Sequence, residues 1–273
     1  MNILSLFDGI SCGQLALQEA NIPVENYFSS EVDKYPIQIT QKNFPHTVQL
    51  GDITKIDAQH LKLLNTIGID LIMGGPPCQD LSFAGKGKGL KQGTRSSLFF
   101  EFVRVLKALQ PKYFLVENVR MKKENQDIIS EHLGVKPIAI NSSLLSAQNR
   151  YRLYWTNIPK VKQPKDKGIV LADILEDGVT DREKSHCLDA NYFKGGNLKS
   201  YFEKHRRQLV FTGGAFRGRY KVNGIRQDHK GSVAGKTQQE LEVRTDGKTN
   251  SLTTVQKDNV IVNSKELTWR KLT

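Results

Sequence analysis

Cysteine is scarce in this 273-residue chain. Cys12, Cys78 and Cys187 are too few for a disulfide framework, and no two lie close enough for a cysteine-rich zinc site. No run of ~20 apolar residues occurs, so no segment is fit to cross a bilayer as a helix. There are no internal repeats and no low-complexity tract. The first glycine loop lacks the G-x-G-x-x-G spacing of dinucleotide-binding folds. The amino terminus has no basic leader and meets an acid at Asp8, which does not read as a secretory signal; the expected location is the cytoplasm, with no membrane partner. Acidic residues are outnumbered, 28 Asp+Glu against 40 Lys+Arg, giving a net charge of +12.

That charge is segregated. Residues 1–150 hold 16 basic and 14 acidic side chains, whereas Lys184–Lys236 alone holds 12 and 3, a net of +9. Solubility does not require such segregation, so the later part reads as a polyanion-binding surface.

The hydrophobic pattern changes in step with the charge. Up to residue 158, short apolar runs alternate with amphipathic stretches. Strands are expected at Ile3–Phe7, Tyr27–Ser30, Thr47–Leu50, Asp70–Gly74, Tyr113–Glu117, Lys136–Asn141 and Tyr151–Asn157. Helices are expected near Gln14–Ala20, Tyr35–Asn43, Ala58–Leu64, Leu98–Leu109 and Glu124–Leu133. This alternation predicts an α/β domain with a doubly wound, mostly parallel sheet, whose ligand sites lie beyond the carboxyl ends of the strands. From residue 159 to 263 the alternation gives way to β-like pieces at Gln208–Phe211, Tyr220–Val222, Leu252–Val255 and Asn259–Val262, with Gly195-Gly196 and Gly213-Gly214 read as punctuating turns. A small, basic, β-rich second domain is expected there, with 264–273 a separate tail.

Chemistry-bearing residues gather at the predicted strand ends. Phe7-Asp8-Gly9-Ile10-Ser11-Cys12-Gly13 joins a strand to a helix, and its glycines let backbone approach a ligand. Asp8 would repel a pyrophosphate and suits a ligand carrying an amine. Glu31 ends the second strand, where an acid holds ribose hydroxyls in nucleotide-binding sheets. Asp52 follows the third. Taken singly, Asp8 and Asp52 also fit turn or helix-cap residues. Met73-Gly74-Gly75-Pro76-Pro77-Cys78-Gln79 runs a strand into a rigid turn that presents Cys78, and the basic glycine loop Gly85–Gly89 follows as a lid suited to an anionic substrate. Nearby lysines and arginines favour a thiolate at Cys78. Tyr113–Val119 is an apolar strand carrying Glu117, and Gln148-Asn149-Arg150-Tyr151-Arg152 sets two arginines at alternate positions.

Together, Phe7-Asp8-Gly9…Gly13, Pro76-Pro77-Cys78-Gln79, Glu117-Asn118-Val119 and Gln148-x-Arg150-x-Arg152 resemble, in order and spacing, the motifs of DNA cytosine-5 methyltransferases of bacterial or phage type. No single motif is specific; the set is. The resemblance implies S-adenosylmethionine as methyl donor, double-stranded DNA as partner and a flipped cytosine as substrate. It implies a donor cradle of Phe7, Asp8, Gly9, Ile10, Glu31, Val32, Asp52, Ile53, Pro76 and Leu98. Asp8 would meet the ammonium, Glu31 the ribose and Asp52 the adenine amine. Cys78 would attack carbon 6 of the base, Glu117 would stabilise charge at ring nitrogen 3, and Arg150 and Arg152 would hold the base and its phosphate. No metal is implied. The family's Arg-x-Leu-Thr motif opens a longer closing segment, whereas this sequence stops at Arg270-Lys271-Leu272-Thr273; a second polypeptide supplying the remainder is one expectation. A transfer-RNA cytosine methyltransferase and a non-catalytic nucleic-acid-binding paralogue stay open as alternatives.

Overall fold

The structure is a computed structural model that describes residues 1–77, 98–176, 180–188, 208–223, 225–226, 237–243, 259–263 and 268–271. Cys78, the Gly85–Gly89 loop, Gly195-Gly196, Arg206, Arg207 and the expected strand Leu252–Val255 lie outside the described residues. The chain divides into two compact units. The first comprises residues 1–141 and 151–164, the second residues 142–150 and 165–273.

The first unit is built on β1 (Asn2–Leu6), β2 (Asn26–Ser30), β3 (Val48–Gln49), β4 (Leu71–Gly74), β5 (Tyr113–Val119), β6 (Ile138–Asn141) and β7 (Tyr151–Thr156). Between the strands run α1 (Cys12–Glu19), α2 (Lys34–Asn43), α3 (Ala58–Ile67), α4 (Leu98–Leu109) and α5 (Lys123–Leu133). The seven strands form one sheet in the order β3-β2-β1-β4-β5-β7-β6. The pairs β1–β2, β2–β3, β1–β4 and β4–β5 are parallel, whereas β7 runs antiparallel to both β5 and β6. The chain leaves β1 toward β2 and returns to its other side as β4, which makes the β1/β4 junction the switch point at which such sheets bind ligands.

Both faces of this sheet are covered, as the near-continuous apolar strands require. Leu4, Leu6, Ile72, Phe114 and Val116 face a core completed by α3, α4 and α5; Ile3, Leu71 and Met73 face the opposite way, with Tyr27 and with Leu17 of α1. Along α4, Leu98, Phe99, Phe102, Val105, Leu106 and Leu109 recur at helical spacing; Phe99, Phe102, Val105 and Leu109 are buried together with Val103, while Leu98 and Leu106 are partly buried against the same core. Each such side chain contributes about 1.5–3 kcal/mol on burial. Asp33 caps α2 and Asp57 caps α3 by accepting from backbone N–H groups of the first turn.

The second unit holds an antiparallel sheet of β8 (Phe211–Val222), β9 (Ile225–Arg226), β10 (Thr237–Val243), β11 (Asn259–Asn263) and β12 (Thr268–Lys271), ordered β10-β8-β11-β12 with β9 paired to β8. Here the structure departs from the sequence expectation. Gly213-Gly214 is not a turn but part of the 12-residue strand β8, near its start. Gly214 pairs with Val243 on one side and Val260 on the other, so ladder hydrogen bonds on both sides override the local turn preference of glycine.

Candidate active site at the carboxyl edge of the parallel sheet

Register builds the site. Leu6 pairs with both Ser30 and Gly74, and Gly74 pairs with Val116. One residue further along each strand therefore sets Phe7, Glu31, Gly75 and Glu117 in a single row. Phe7 takes a φ of 58°, rare for a bulky residue, and its N–H donates to Ser30 O at 2.8 Å. Strain of this kind survives only where the surroundings hold it, and it gathers at functional sites.

Beside this row lies a pocket of about 440 Å³, lined by Phe7, Ser30, Glu31, Val32, Asp52, Ile53, Thr54, Gly75, Pro77 and Leu98. Its volume falls in the ~300–1,000 Å³ range of small-molecule sites. Two acids line it. Glu31 Oε2 accepts from Gly9 N at 2.9 Å, and Oε1 accepts from Val32 N at 2.8 Å and Asp33 N at 3.0 Å. Three backbone amides thus fix the carboxylate and tie the first glycine loop to the end of β2. Asp52 Oδ1 accepts from Thr54 N at 2.9 Å and from the Thr54 hydroxyl at 2.8 Å. Those bonds hold its pKa below the usual carboxylate value; burial opposes them, and the Lys55 charge adds a lesser lowering effect. Asp52 is ionised at neutral pH, and among the described residues no hydrogen bond reaches its Oδ2.

Asp8 is held from beneath. Its Oδ1 accepts from the Tyr27 hydroxyl at 2.8 Å and its Oδ2 from Ser11 Oγ, while Thr40 Oγ1 donates to Ser11 Oγ at 3.2 Å. Burial, and then the Asp8 charge, push the Tyr27 phenol far above its ordinary range, so it remains a donor at any physiological pH.

On the far side of Gly75 stands Glu117. A Cβ at residue 75 would lie 3.2 Å from Glu117 Oε2, so the two are in close approach. Glu117 Oε1 lies 2.6 Å from Arg152 Nε, and the pairing is held by charge rather than by a directed hydrogen bond. The neighbouring Asn118 is buried, and its amide donates to Pro76 O at 3.2 Å, which ties β5 to the turn leading to Cys78. Arg150 belongs to the second unit. There its Nη1 lies 3.7 Å from Cys187 Sγ, and its segment is backed by Asn149 N–H donating to Ser185 O and Ser185 N–H donating to Ala147 O. The Lys184 ammonium donates to the carbonyls of Ser143, Ser146 and Ile169, so this first lysine of the basic stretch is engaged within its own unit.

Of the residues singled out from sequence, Phe7, Glu31, Val32, Asp52, Ile53 and Leu98 meet in the pocket; Asp8, Gly9, Ile10 and Pro76 lie in the adjoining loops and are not among its lining residues. Glu117 and Arg152 meet each other, Arg150 lies in the second unit, and Cys78 falls outside the described residues. Ser30, Thr54, Gly75 and Pro77 also line the pocket and were not expected there from sequence, although Gly75 and Pro77 stand in the turn that leads to Cys78. The Asp52-x-Thr54 spacing, a local turn in which a carboxylate caps the N–H two residues on, was the available signal for Thr54.

A family model described as C-5 cytosine-specific DNA methylase matches residues 1–272. The chain is 35% identical over 167 residues to the orphan methyltransferase M.SPRI of Bacillus phage SPR, an alignment covering 56% of this chain and 37% of that protein. It is 34% identical over 191 residues to the type II methyltransferase M.NlaX of Neisseria lactamica, covering 64% and 59%. The chain thus spans between about a third and three fifths of the length of these curated relatives. A solved structure of a Spodoptera frugiperda DNMT2 variant superposes with a TM-score of 0.54 at 23% identity over 71% of each chain, a likeness of fold.

Proposed function

The chain belongs to the family of C-5 cytosine-specific DNA methylases, and from that membership we propose that it transfers a methyl group from S-adenosylmethionine to carbon 5 of a cytosine flipped out of DNA, through a covalent adduct to Cys78. One observation carries this reading: Gly75 both lines the acid-bearing pocket and abuts Glu117, which sets a small-molecule site and a base-facing acid on either side of one residue without a side chain.

The residues present suit the donor. Glu31, fixed by three amides, keeps lone pairs for ribose hydroxyls, and Asp52 offers an amine the carboxylate oxygen that no described residue hydrogen-bonds. Phe7, Val32, Ile53 and Leu98 supply apolar surface for a purine face. Asp8, with Gly9 and Ile10 in its loop, brings negative charge toward an ammonium, and Pro76 stiffens the turn. The donor, when bound, supplies an electrophilic methyl group on a sulfonium.

Carbon 5 of cytosine is a poor nucleophile inside an aromatic ring. Addition of the Cys78 thiolate to carbon 6 breaks the aromaticity and makes carbon 5 enamine-like. Glu117 holds a proton at ring nitrogen 3, where negative charge would otherwise build, and Arg152 fixes the carboxylate that does so. Once carbon 5 is methylated, loss of its proton to a base expels the Cys78 thiolate and restores the ring. Arg150 binds the phosphate of the flipped nucleotide. Extrusion of the base costs a few kcal/mol. The basic second unit, with Arg217, Arg219 and Lys221 at alternate positions of β8, offsets that cost through phosphate contacts and brings arginines for guanine edges.

The test is trapping on DNA in which 5-fluorocytosine replaces cytosine throughout. Fluorine cannot leave as the proton does, so the adduct persists. A denaturation-resistant complex that needs S-adenosylmethionine and is lost in Cys78→Ala is expected. No adduct, with labelled methyl appearing only in transfer RNA, would replace the DNA reading with an RNA one.

A further inference from the structure

We propose that Arg104 is a positioning residue for donor recognition: from α4 it clamps the short turn that holds Asp52 and Ile53 against the pocket. This rests on the reading that the pocket takes the adenosine end of the donor.

The turn Ile53–Lys55 is a single turn of 3-10 helix. Such turns are weakly bonded on their own, and their place is set from outside. Here the polar support from outside the turn includes one guanidinium. Arg104 Nη2 donates to Ile53 O at 3.0 Å and Nη1 donates to Ile56 O at 2.9 Å, while Nε donates to Glu101 Oε2 at 2.7 Å one helical turn back. Glu101 thus orients the fork, and the fork grips two carbonyls on either side of the turn. Ile53 and Ile56 are themselves buried, at 3% and 1% exposure, so the turn is pinned by two apolar side chains below and two charged-donor hydrogen bonds beside it. The same helix begins at Leu98, which also lines the pocket. Arg104 therefore sets the spacing between two walls, the apolar end of α4 and the carboxylate of Asp52, without touching the ligand.

The arrangement has a consequence for base selectivity. If Asp52 accepts from the adenine amine, its placement sets the preference for a 6-amino over a 6-oxo purine. Arg104→Met removes both carbonyl bonds and keeps the stem; Arg104→Lys can keep one. Affinities for S-adenosylhomocysteine and for S-inosylhomocysteine are measured by calorimetry on the full chain, well below the melting transition of each variant. Expected are a roughly tenfold loss of S-adenosylhomocysteine affinity in Arg104→Met, the equilibrium equivalent of about 1.4 kcal/mol, little change for the inosyl analogue, and an intermediate ratio in Arg104→Lys. A general loosening of the fold would weaken both ligands alike and leave the ratio unmoved, which overturns the proposal. So does a variant pair with wild-type affinities. Should Arg104→Met fail to fold, the ratio in Arg104→Lys decides on the same terms. A wild-type protein that binds neither nucleoside, or does not tell them apart, sinks the reading of the pocket itself and is recognised before any variant is made.

Discussion

Two adjacent glycines allow the fold and the site to be perturbed separately. At Gly74 an added Cβ would lie 2.4 Å from the carbonyl oxygen of Leu6 and 3.2 Å from Cε2 of Phe102. The first is backbone of the paired strand, and the second belongs to a ring that is fully buried. Neither can swing aside, so Gly74→Ala forces β1 and β4 apart at the centre of the sheet. Overpacking of this kind costs about 1–3 kcal/mol, and at about 2–4 °C per kcal/mol for a unit of this size the melting temperature should fall by roughly 2–12 °C.

Gly75 meets a different neighbour. Its added Cβ would stand 3.2 Å from Glu117 Oε2, the free end of a side chain, which can yield by a few tenths of an ångström. The fold should tolerate Gly75→Ala, with a melting temperature within about 2 °C of wild type, since exchanging glycine for alanine also removes disorder from the unfolded chain. Glu117 is not free to yield at no cost, because Arg152 stands 2.6 Å from its other oxygen. A displacement of ~1 Å at a catalytic group can cost up to ~100-fold, so a shift of a few tenths should slow formation of the 5-fluorocytosine adduct by about tenfold, with a smaller effect on donor affinity. Thermal denaturation and the adduct rate are read on both variants. If Gly75→Ala melts as early as Gly74→Ala, or forms the adduct at the wild-type rate, the link from residue 75 to Glu117 is wrong.

Cys78→Ser should abolish methyl transfer and leave DNA affinity largely intact, as read by labelled-methyl incorporation beside a filter-binding titration; near-normal turnover would remove Cys78 from the mechanism. Glu31→Gln places an amide group among three backbone N–H donors and should weaken S-adenosylhomocysteine binding several-fold while sparing DNA affinity, because a mispaired donor at this half-buried site costs part of the ~1–3 kcal/mol of a fully buried one; unchanged calorimetry would refute the ribose role. DNA affinity should fall steeply with salt, and neutralising Arg206, Arg207, Arg217 and Arg219 together should flatten that slope, whereas Lys184→Met should lower the melting temperature and leave the slope within about one unit, since the Lys184 ammonium is spent on three carbonyls. For Asp52 the folded pKa is depressed, so its ionised form is fully present above the ordinary carboxylate value and is lost only as pH falls through the lower folded value; Thr54→Val, which removes the hydroxyl bond, should move that carboxyl titration upward when followed by NMR.

What sequence could read was whatever ends an apolar run. Phe7, Glu31 and Glu117 stand where β1 and β2 stop and β5 nears its end, and an acid after an apolar strand is visible without coordinates. The helical stripe of α4 was equally legible, because Phe99, Phe102, Val105 and Leu109 repeat at a period no strand can use. Pairings between distant residues were not. Arg104 in sequence is one more charged residue on an amphipathic helix; its meaning comes from Ile53 and Ile56, some fifty positions away. Tyr27 read as a strand residue until its hydroxyl met Asp8. Gly213-Gly214 misled in the other direction, since glycine pairs carry turn preference locally and lose it where two neighbouring strands supply hydrogen bonds.

The carboxyl edge of this sheet concentrates four carboxylates, Asp8, Glu31, Asp52 and Glu117, in a row of strand ends and the loops beside them. Like charges so placed repel, and each must be offset locally. Two are held by donors that include backbone amides: three N–H groups for Glu31, and the Thr54 N–H with its hydroxyl for Asp52. The other two depend on side chains: Tyr27 and Ser11 for Asp8, and Arg152 for Glu117. The division matters for function. Backbone donors are fixed by the fold and survive most substitutions, which would suit Glu31 and Asp52 in the donor-holding role proposed for them. Side-chain partners can be exchanged, which leaves Glu117 tunable in the proton-sharing role proposed for it. Arg152 is itself anchored, since its Nη1 donates to Tyr151 O at 2.9 Å, so the positive charge beside Glu117 is held in place while the carboxylate keeps its other oxygen toward Gly75.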